Sequence, residues 1–297
     1  MLLRRQPQPA LQPLVRSLWA SERIAPAAAG GERERVLPTG AMHLALRLDE
    51  RPFRFFDDDT DFLGRAPGPG VVGGARAAPY LKDVAGPALS VGAELVPGAC
   101  EALFGAPADE LSGRHTALED LWGPRTVGEA RERLQEAGSV GRRLDVLESL
   151  LAARLPRLRG LHPAVAHALE RLAAAAHVGE IVRETGASHR HLVALFRRAV
   201  GLSPKLYSRI LRFQSALHRL AADRAAPQVE VALDSGYSDQ AHFARDFRAL
   251  AGITPGDHRA LAPAHPVHVP ATTPRAPSRG AVRGQPIPGS AAGWPLR

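Results

Sequence analysis

The chain has 297 residues, 45% hydrophobic and 23% charged, which suits a globular protein of about two domains and excludes a collagen, a wholly disordered chain and a disulfide-stapled miniprotein. Its longest uncharged apolar runs stop short of the roughly 18 residues of a membrane span, and its start lacks a signal-peptide apolar core, so a cytoplasmic protein with no membrane attachment is expected. The net charge of +8 is uneven: residues 1–159 hold 21 basic and 21 acidic side chains, residues 160–262 hold 13 against 9, and residues 263–297 hold four arginines and no acid. This points to a polyanionic partner for the carboxy-terminal half, although charge alone also serves solubility.

Residues 1–125 are rich in Gly and Pro, and their short apolar stretches at 42–48, 53–56, 71–72 and 89–96 predict strands of a β-rich domain. The single cysteine, Cys100, cannot form an internal disulfide and is expected to be a small buried hydrophobe. From Thr126 the texture changes to Leu and Ala at helical spacing, through Leu134, Leu144, Leu147, Leu151 and Leu155, which predicts one or two connecting helices over 126–159. His162-Pro163 restarts the chain into a compact all-α region over 160–262. The tail over 263–297 contains Pro263, Pro266, Pro270 and Pro274, and is expected to be a disordered, basic, Pro-rich extension.

The helical region contains a repeat. Residues 181–188 read Ile-Val-Arg-Glu-Thr-Gly-Ala-Ser and residues 231–238 read Val-Ala-Leu-Asp-Ser-Gly-Tyr-Ser. With one extra residue in the second turn, Leu192, Phe196, Ala199, Gly201, Ser203 and Pro204 then match Phe243, Phe247, Leu250, Gly252, Thr254 and Pro255. A short helix, a glycine turn, a second helix and a glycine stop is the sequence form of a helix-turn-helix, here present twice. Ser188 is the expected N-cap of the first reading helix, and Ser238 or Asp239 that of the second. Between them, Ser203-Pro204 starts a helix of about 18 residues, roughly 27 Å long, ending near Ala222. Such a rod suits two reading helices about one DNA turn apart.

Projection at about 100° per residue puts Leu192, Phe196 and Ala199 on one stripe with Arg190, Ala194 and Arg197 opposite. In the second copy Phe243, Phe247 and Leu250 form the stripe and Ala241, Arg245 and Arg248 lie opposite. The apolar stripe needs a core, so the opposite face is left for solvent or for a major groove. Arginine can bond guanine through two N–H groups and glutamine can pair with adenine, which makes Arg190, Arg245 and Gln240 candidate base readers. Arg197, Arg198, Lys205 and Arg248 are candidate phosphate contacts.

The segment 236–248, Gly-Tyr-Ser-Asp-Gln-Ala-His-Phe-Ala-Arg-Asp-Phe-Arg, closing on Gly252-Ile253-Thr254-Pro255, resembles the second-motif signature of the AraC/XylS family of transcription regulators. Phe196-Arg197-Arg198 with Gly201-Leu202-Ser203-Pro204 resembles the end of the family's first motif. The resemblance covers about 100 residues, 163–261. It implies base contacts at Arg190, Val193 and Ala194 and at Gln240, Ala241 and Arg245; Ala194 stands where many members carry arginine, which shifts weight to the second helix. It further implies double-stranded DNA as partner, with an unidentified small-molecule effector and RNA polymerase as further candidates, and leaves the oligomeric state open. The segments 36–40, 96–98, 103–105 and 118–123 resemble a domain attached to one subgroup of these regulators, which implies a cupin-like sensor module.

No catalytic constellation is expected, and no cofactor. Residues 68–73 satisfy a G-x-G-x-x-G pattern but lack strand-loop-helix context and are expected to form a turn. Asp57, Asp58, Asp59 and Asp61 lack the glycine and glutamate of a calcium loop. The first 159 residues offer only His43 and His115, too few for a metal centre of the cupin kind. A methyl-accepting repair role would need an activated thiol, and Cys100 has no adjacent base. Trp19, Phe53, Phe55, Phe56, Phe62, Tyr80, Phe104 and Trp122 are candidates to line a small-molecule pocket or an ordinary core. Two other function classes stay open at this level: an enzymatic amino-terminal domain regulated through DNA, and a non-specific nucleic-acid packer.

Overall fold

The computed structural model describes residues 2–23, 33–155 and 160–271. Strands β1 (Leu2–Arg5), β2 (Val15–Arg23), β3 (Arg33–Val36), β4 (His43–Arg47), β5 (Phe55–Phe56), β6 (Gly70–Gly73), β7 (Tyr80–Asp83) and β8 (Ala88–Leu95) build the amino-terminal half. Three short helices, α1 (Cys100–Phe104), α2 (Ala108–Leu111) and α3 (Leu118–Trp122), follow with strand β9 (His115–Ala117) among them. The predicted strands are thus present, but helices enter this region before Thr126. Each is only four or five residues long, too short to show helical periodicity.

One antiparallel sheet runs β1-β2-β8-β4-β6-β9. The other runs β10-β3-β7-β5, where β10 (His268–Ala271) comes from the far end of the chain. Val36, Phe55 and Tyr80 of the second sheet share a cluster with Ala45 and Val71 of the first, so the two sheets pack face to face. Residues 70–73 form β6, a buried strand between β4 and β9, as expected from the stretch at 71–72 but not from the turn expected over 68–73. Its glycines leave room for neighbouring side chains: a methyl on Gly73 would lie 2.1 Å from the His43 ring, which would have to move.

Helices α4 (Pro124–Glu136) and α5 (Val140–Ala152) connect the halves. Leu134, Leu144, Leu147 and Leu151 are fully buried, so the leucine stripe packs within the chain. The carboxy-terminal half is all-α: α6 (Pro163–Ala173), α7 (Val178–Thr185), α8 (His189–Val200), α9 (Pro204–Ala222), α10 (Gln228–Asp234), α11 (Gln240–Ala251) and α12 (Pro255–Leu261).

The expectation of a disordered tail beginning at 263 is corrected over its first residues. Strand β10 pairs antiparallel with β3, His268 opposite Val36 and Ala271 opposite Arg33, and Val267, Val269 and Ala271 are buried. Two prolines hid it. Pro266 precedes the strand, and Pro270 sits exposed on the outer strand of the sheet, where a missing N–H breaks no ladder. Residues 272–297 of the predicted tail lie outside the described residues.

Candidate nucleic-acid interface

Each helix-turn-helix is built from the residues the repeat singled out. In the first, α7 stops at Gly186 (φ 65°), a left-handed position that glycine adopts without steric cost. The Ser188 side chain then accepts from the His191 N–H at 3.2 Å and starts α8. In the second, Asp239 rather than Ser238 is the N-cap of α11, accepting from the His242 N–H at 2.7 Å. That bond, with one from the Ser238 hydroxyl, holds the Asp239 carboxyl below the usual carboxylate range. Gly201 (φ 86°) and Gly252 (φ 71°) end α8 and α11.

The buried stripes are as projected. Leu192 and Phe196 are fully buried on α8, and Phe243, Phe247 and Leu250 on α11; Ala199 is half-buried and Val200 completes the first stripe. Arg190, Ala194 and Arg197 on α8 and Gln240, Ala241, Arg245 and Arg248 on α11 are exposed, as is Lys205 at the start of α9. Val193 is half-buried. The Gln240 amide reaches back to Gln228 of α10 at 3.5 Å, a weak contact that leaves it free to turn.

Helix α9 spans 19 residues, about 28 Å, and fixes the two motifs relative to each other. It buries Tyr207, Ile210, Phe213, Ala216, Leu217 and Leu220, with Leu211 half-buried and Ala221 exposed. Phe213 meets Phe247 of α11 edge-on at 5.0 Å. Beside it, Asp246 is buried on α11 and takes both Nε (2.7 Å) and a terminal nitrogen (2.6 Å) of Arg209, while the Tyr237 hydroxyl donates to its other oxygen at 3.3 Å. On the first motif, Arg171 of α6 forms a two-pronged pair with Glu184 of α7, both bonds 2.9 Å.

The amino-terminal half touches both motifs at equivalent places. The Ser112 hydroxyl donates to the Gly201 carbonyl at 2.7 Å, and a side chain at Gly201 would lie 3.0 Å from the Ala108 carbonyl. A side chain at Gly252 would lie 2.6 Å from the Arg35 guanidinium and 3.5 Å from Pro79. Arg198, predicted to meet phosphate, is instead paired with Glu101 of α1 at 2.8 Å. His258 of α12 meets the Pro266 carbonyl at 2.8 Å on the way to β10, where His268 meets Glu34 of β3 at 2.6 Å. Lys82 also holds Glu34, at 2.7 Å. Although burial works the other way, these two partners hold the Glu34 carboxyl far below its usual range.

The structure also assembles a site that the sequence left scattered. A cavity of about 360 Å³ opens between the sheets, walled by Phe55, Phe56, Tyr80 and His115 and edged by Arg65, Arg76 and Arg114. Of the candidate pocket aromatics, Phe55, Phe56 and Tyr80 do line it, whereas Phe104 and Trp122 pack together in the core and Phe62 is exposed. His115 stacks on Phe55 at 3.6 Å and lies 5.9 Å from His43. Burial, reinforced by the Arg76 charge, lowers His43 to about 3 and pushes His115 down as well, so both rings are neutral near pH 7. The acidic loop beside the cavity is exposed and its carboxylates are taken up locally: Asp58 and Asp61 accept from neighbouring backbone N–H groups, Asp57 pairs with Arg65 and Asp59 with Arg35. Cys100 is buried, its thiol pushed up to about 12, first by burial. No helix among the described residues is long and apolar enough to cross a membrane.

Residues 181–260 match a helix-turn-helix domain family, and residues 3–117 match a domain family of unknown function (DUF6597). No curated protein matches. Among solved structures, ToxT from Vibrio cholerae shares 8% identity over 81% of this chain and 98% of its own, with a TM-score of 0.46. The AraC-like transcriptional activator CuxR shares 16% identity over 72% of this chain and 86% of its own, with a TM-score of 0.21. A probable AraC family transcriptional regulator from Rhodopseudomonas palustris is 32% identical over 34% of this chain and 98% of its own, with a TM-score of 0.30. With that identity over nearly the whole relative, and with both helix-turn-helix motifs formed from the residues of the repeat, the chain belongs to the AraC family of DNA-binding transcription regulators.

Proposed function

We propose that α8 and α11 enter successive major grooves on one face of double-stranded DNA, with residues 160–262 as the DNA-binding unit, 126–159 as connecting helices and 1–125 as the part that receives an effector. One observation carries this reading: both helices bury one stripe and expose an arginine-bearing face on the opposite side, and both pack against the same helix α9, Phe196 on Tyr207 and Phe247 on Phe213. Gln240, Ala241 and Arg245 then read base edges on α11, and Arg190, Val193 and Ala194 on α8. Arg197, Lys205 and Arg248 contact phosphate, joined by Arg198 once it leaves Glu101. The protein acts where the chromosome is, in the cytoplasm, and RNA polymerase is its partner at a promoter.

Arg245→Ala tests the assignment. It is expected to cost about 1–3 kcal/mol on the cognate site and to relax discrimination at one base pair. Binding titrations on a site selected by the protein itself, repeated on a scrambled duplex, measure both; an equal loss on the two duplexes would exclude base reading by Arg245. Footprinting at several salt concentrations separates the regulator from a non-specific packer, which would protect no defined site.

A further inference from the structure

We infer that Arg209, Asp246 and Tyr237 are positioning residues that fix how α11 sits on α9, and that they thereby set the spacing the protein accepts between the two DNA segments it reads. This rests on the reading that α8 and α11 enter successive major grooves, and it gives three residues behind that surface a part in its selectivity.

The three side chains meet directly behind the exposed face of α11. Asp246 follows the exposed Arg245 in the chain but is itself only 8% exposed. Its Oδ1 takes Nε and a terminal nitrogen of Arg209 from α9, at 2.7 and 2.6 Å, and its Oδ2 takes the hydroxyl of Tyr237, from the turn before α11, at 3.3 Å. Both carboxylate oxygens are therefore engaged, by groups from two different parts of the chain. Burial, and after it the Asp246 charge, raises the Tyr237 hydroxyl above its ordinary value, so it remains a donor. Arg212 of α9 lies over the Tyr237 ring at 5.6 Å, and Phe213, one turn beyond Arg209, meets Phe247 at 5.0 Å. Apolar contact has no preferred direction and would let α11 roll or slide on α9, whereas charge-assisted hydrogen bonds to a buried carboxylate fix both distance and direction. A buried ion pair adds little net stability over well-packed apolar side chains, and its better-attested use is to hold one arrangement against its neighbours. The first motif supplies the comparison. Where the repeat places Asp246 and Tyr237, that motif has Leu195 and Ala187, half-buried against the core. A helix-turn-helix of this chain thus forms with apolar residues at these positions, so the polar network serves placement rather than folding.

The test uses the full chain, a duplex selected by the protein itself, and the same duplex with one base pair inserted between the two protected groove segments. The insertion moves one segment by about 3.4 Å and turns it by about 35°, so a rigid pair of helices cannot engage both. The unaltered protein is expected to bind the inserted duplex at least about thirtyfold more weakly. Arg209→Met combined with Asp246→Leu, which puts apolar groups where the first motif has them, is expected to reduce that ratio to about threefold while the protein still unfolds cooperatively in urea. A role in stability alone would weaken binding to both duplexes alike, and an unchanged ratio in the folded variant would overturn the inference. Should the double variant fail to fold, Arg209→Lys, which keeps the charge and gives up the planar fork, is read in its place: the ratio is expected to fall about threefold, and an unchanged ratio again overturns the inference. An unaltered protein that binds the two duplexes equally would overturn the two-groove reading as well, so the two failures are distinguishable.

Discussion

Arg198 shows how one side chain can belong to two partners. Its pair with Glu101 is exposed on both sides, 57% and 56%, so it adds little stability. It does, however, neutralise a cation in the last turn of a reading helix. Glu101→Gln is accordingly expected to raise DNA affinity a few-fold and to steepen the salt dependence by about one released counterion, measured by titrating a fixed duplex across salt concentrations. An unchanged slope would show that Arg198 takes no phosphate. The exposed faces of α8 and α11 were legible in the sequence, because an arginine opposite a Leu-Phe stripe at a 3.6-residue period has only one side on which to lie. The Glu101 pairing was not legible, since it joins side chains 97 residues apart on two separately built surfaces. Nor was Asp246: a carboxylate in an exposed-looking Arg-Asp-Phe-Arg run turns out to be the buried acceptor for Arg209 and Tyr237.

At the scale of elements, the double helix-turn-helix and α9 could be read to within about two residues, since Ser188, Gly201, Ser203, Pro204 and Gly252 mark their own boundaries by local hydrogen bonding and backbone conformation. The edge strand β10 escaped because its evidence is entirely non-local. Its alternation, Val267, Val269 and Ala271 with His268 and Pro270 between, spans only five residues among prolines, and these apolar residues gain their environment from β3 and α12, distant or separately folded elements. Val269 is 1% exposed, so Val269→Asp would bury a charge with no partner. A loss of about 3 kcal/mol or more in urea unfolding is expected, with new protease cleavage after Leu261. A change below about 0.5 kcal/mol would mean that β10 is not docked in solution. The cavity escaped for the same reason: Phe55, the pair Arg76 and Tyr80, and His115 come from three stretches of chain, and only the facing of the two sheets brings the three together.

For the whole molecule, the buried histidines set a pH window. His43 and His115 stay neutral in the fold, whereas in the unfolded chain they take up protons near pH 6.5, so stability is full above that value and falls as pH drops from 6.5 towards the folded value of about 3 at His43. Glu34, ionised in the fold below its ordinary value, adds a loss of the same sign at still lower pH. Unfolding free energies from urea titrations are expected to decline by about 1–3 kcal/mol between pH 6.5 and 5, and a flat profile would contradict the burial of both rings. The same sheet that walls the cavity ends in β10, so the cavity, β3 and the DNA-binding helices form one connected path. That closing strand also orders events on the ribosome. Glu34 and His268 are 234 residues apart, and at about 5–20 residues per second β3 waits roughly 12–47 seconds for its partner. During that time one edge of β3 offers unpaired amides and carbonyls to any passing strand. Its Arg33-Glu34-Arg35 run, three charges in four residues, is the kind of sequence that keeps such an edge from pairing wrongly while the rest of the chain is made.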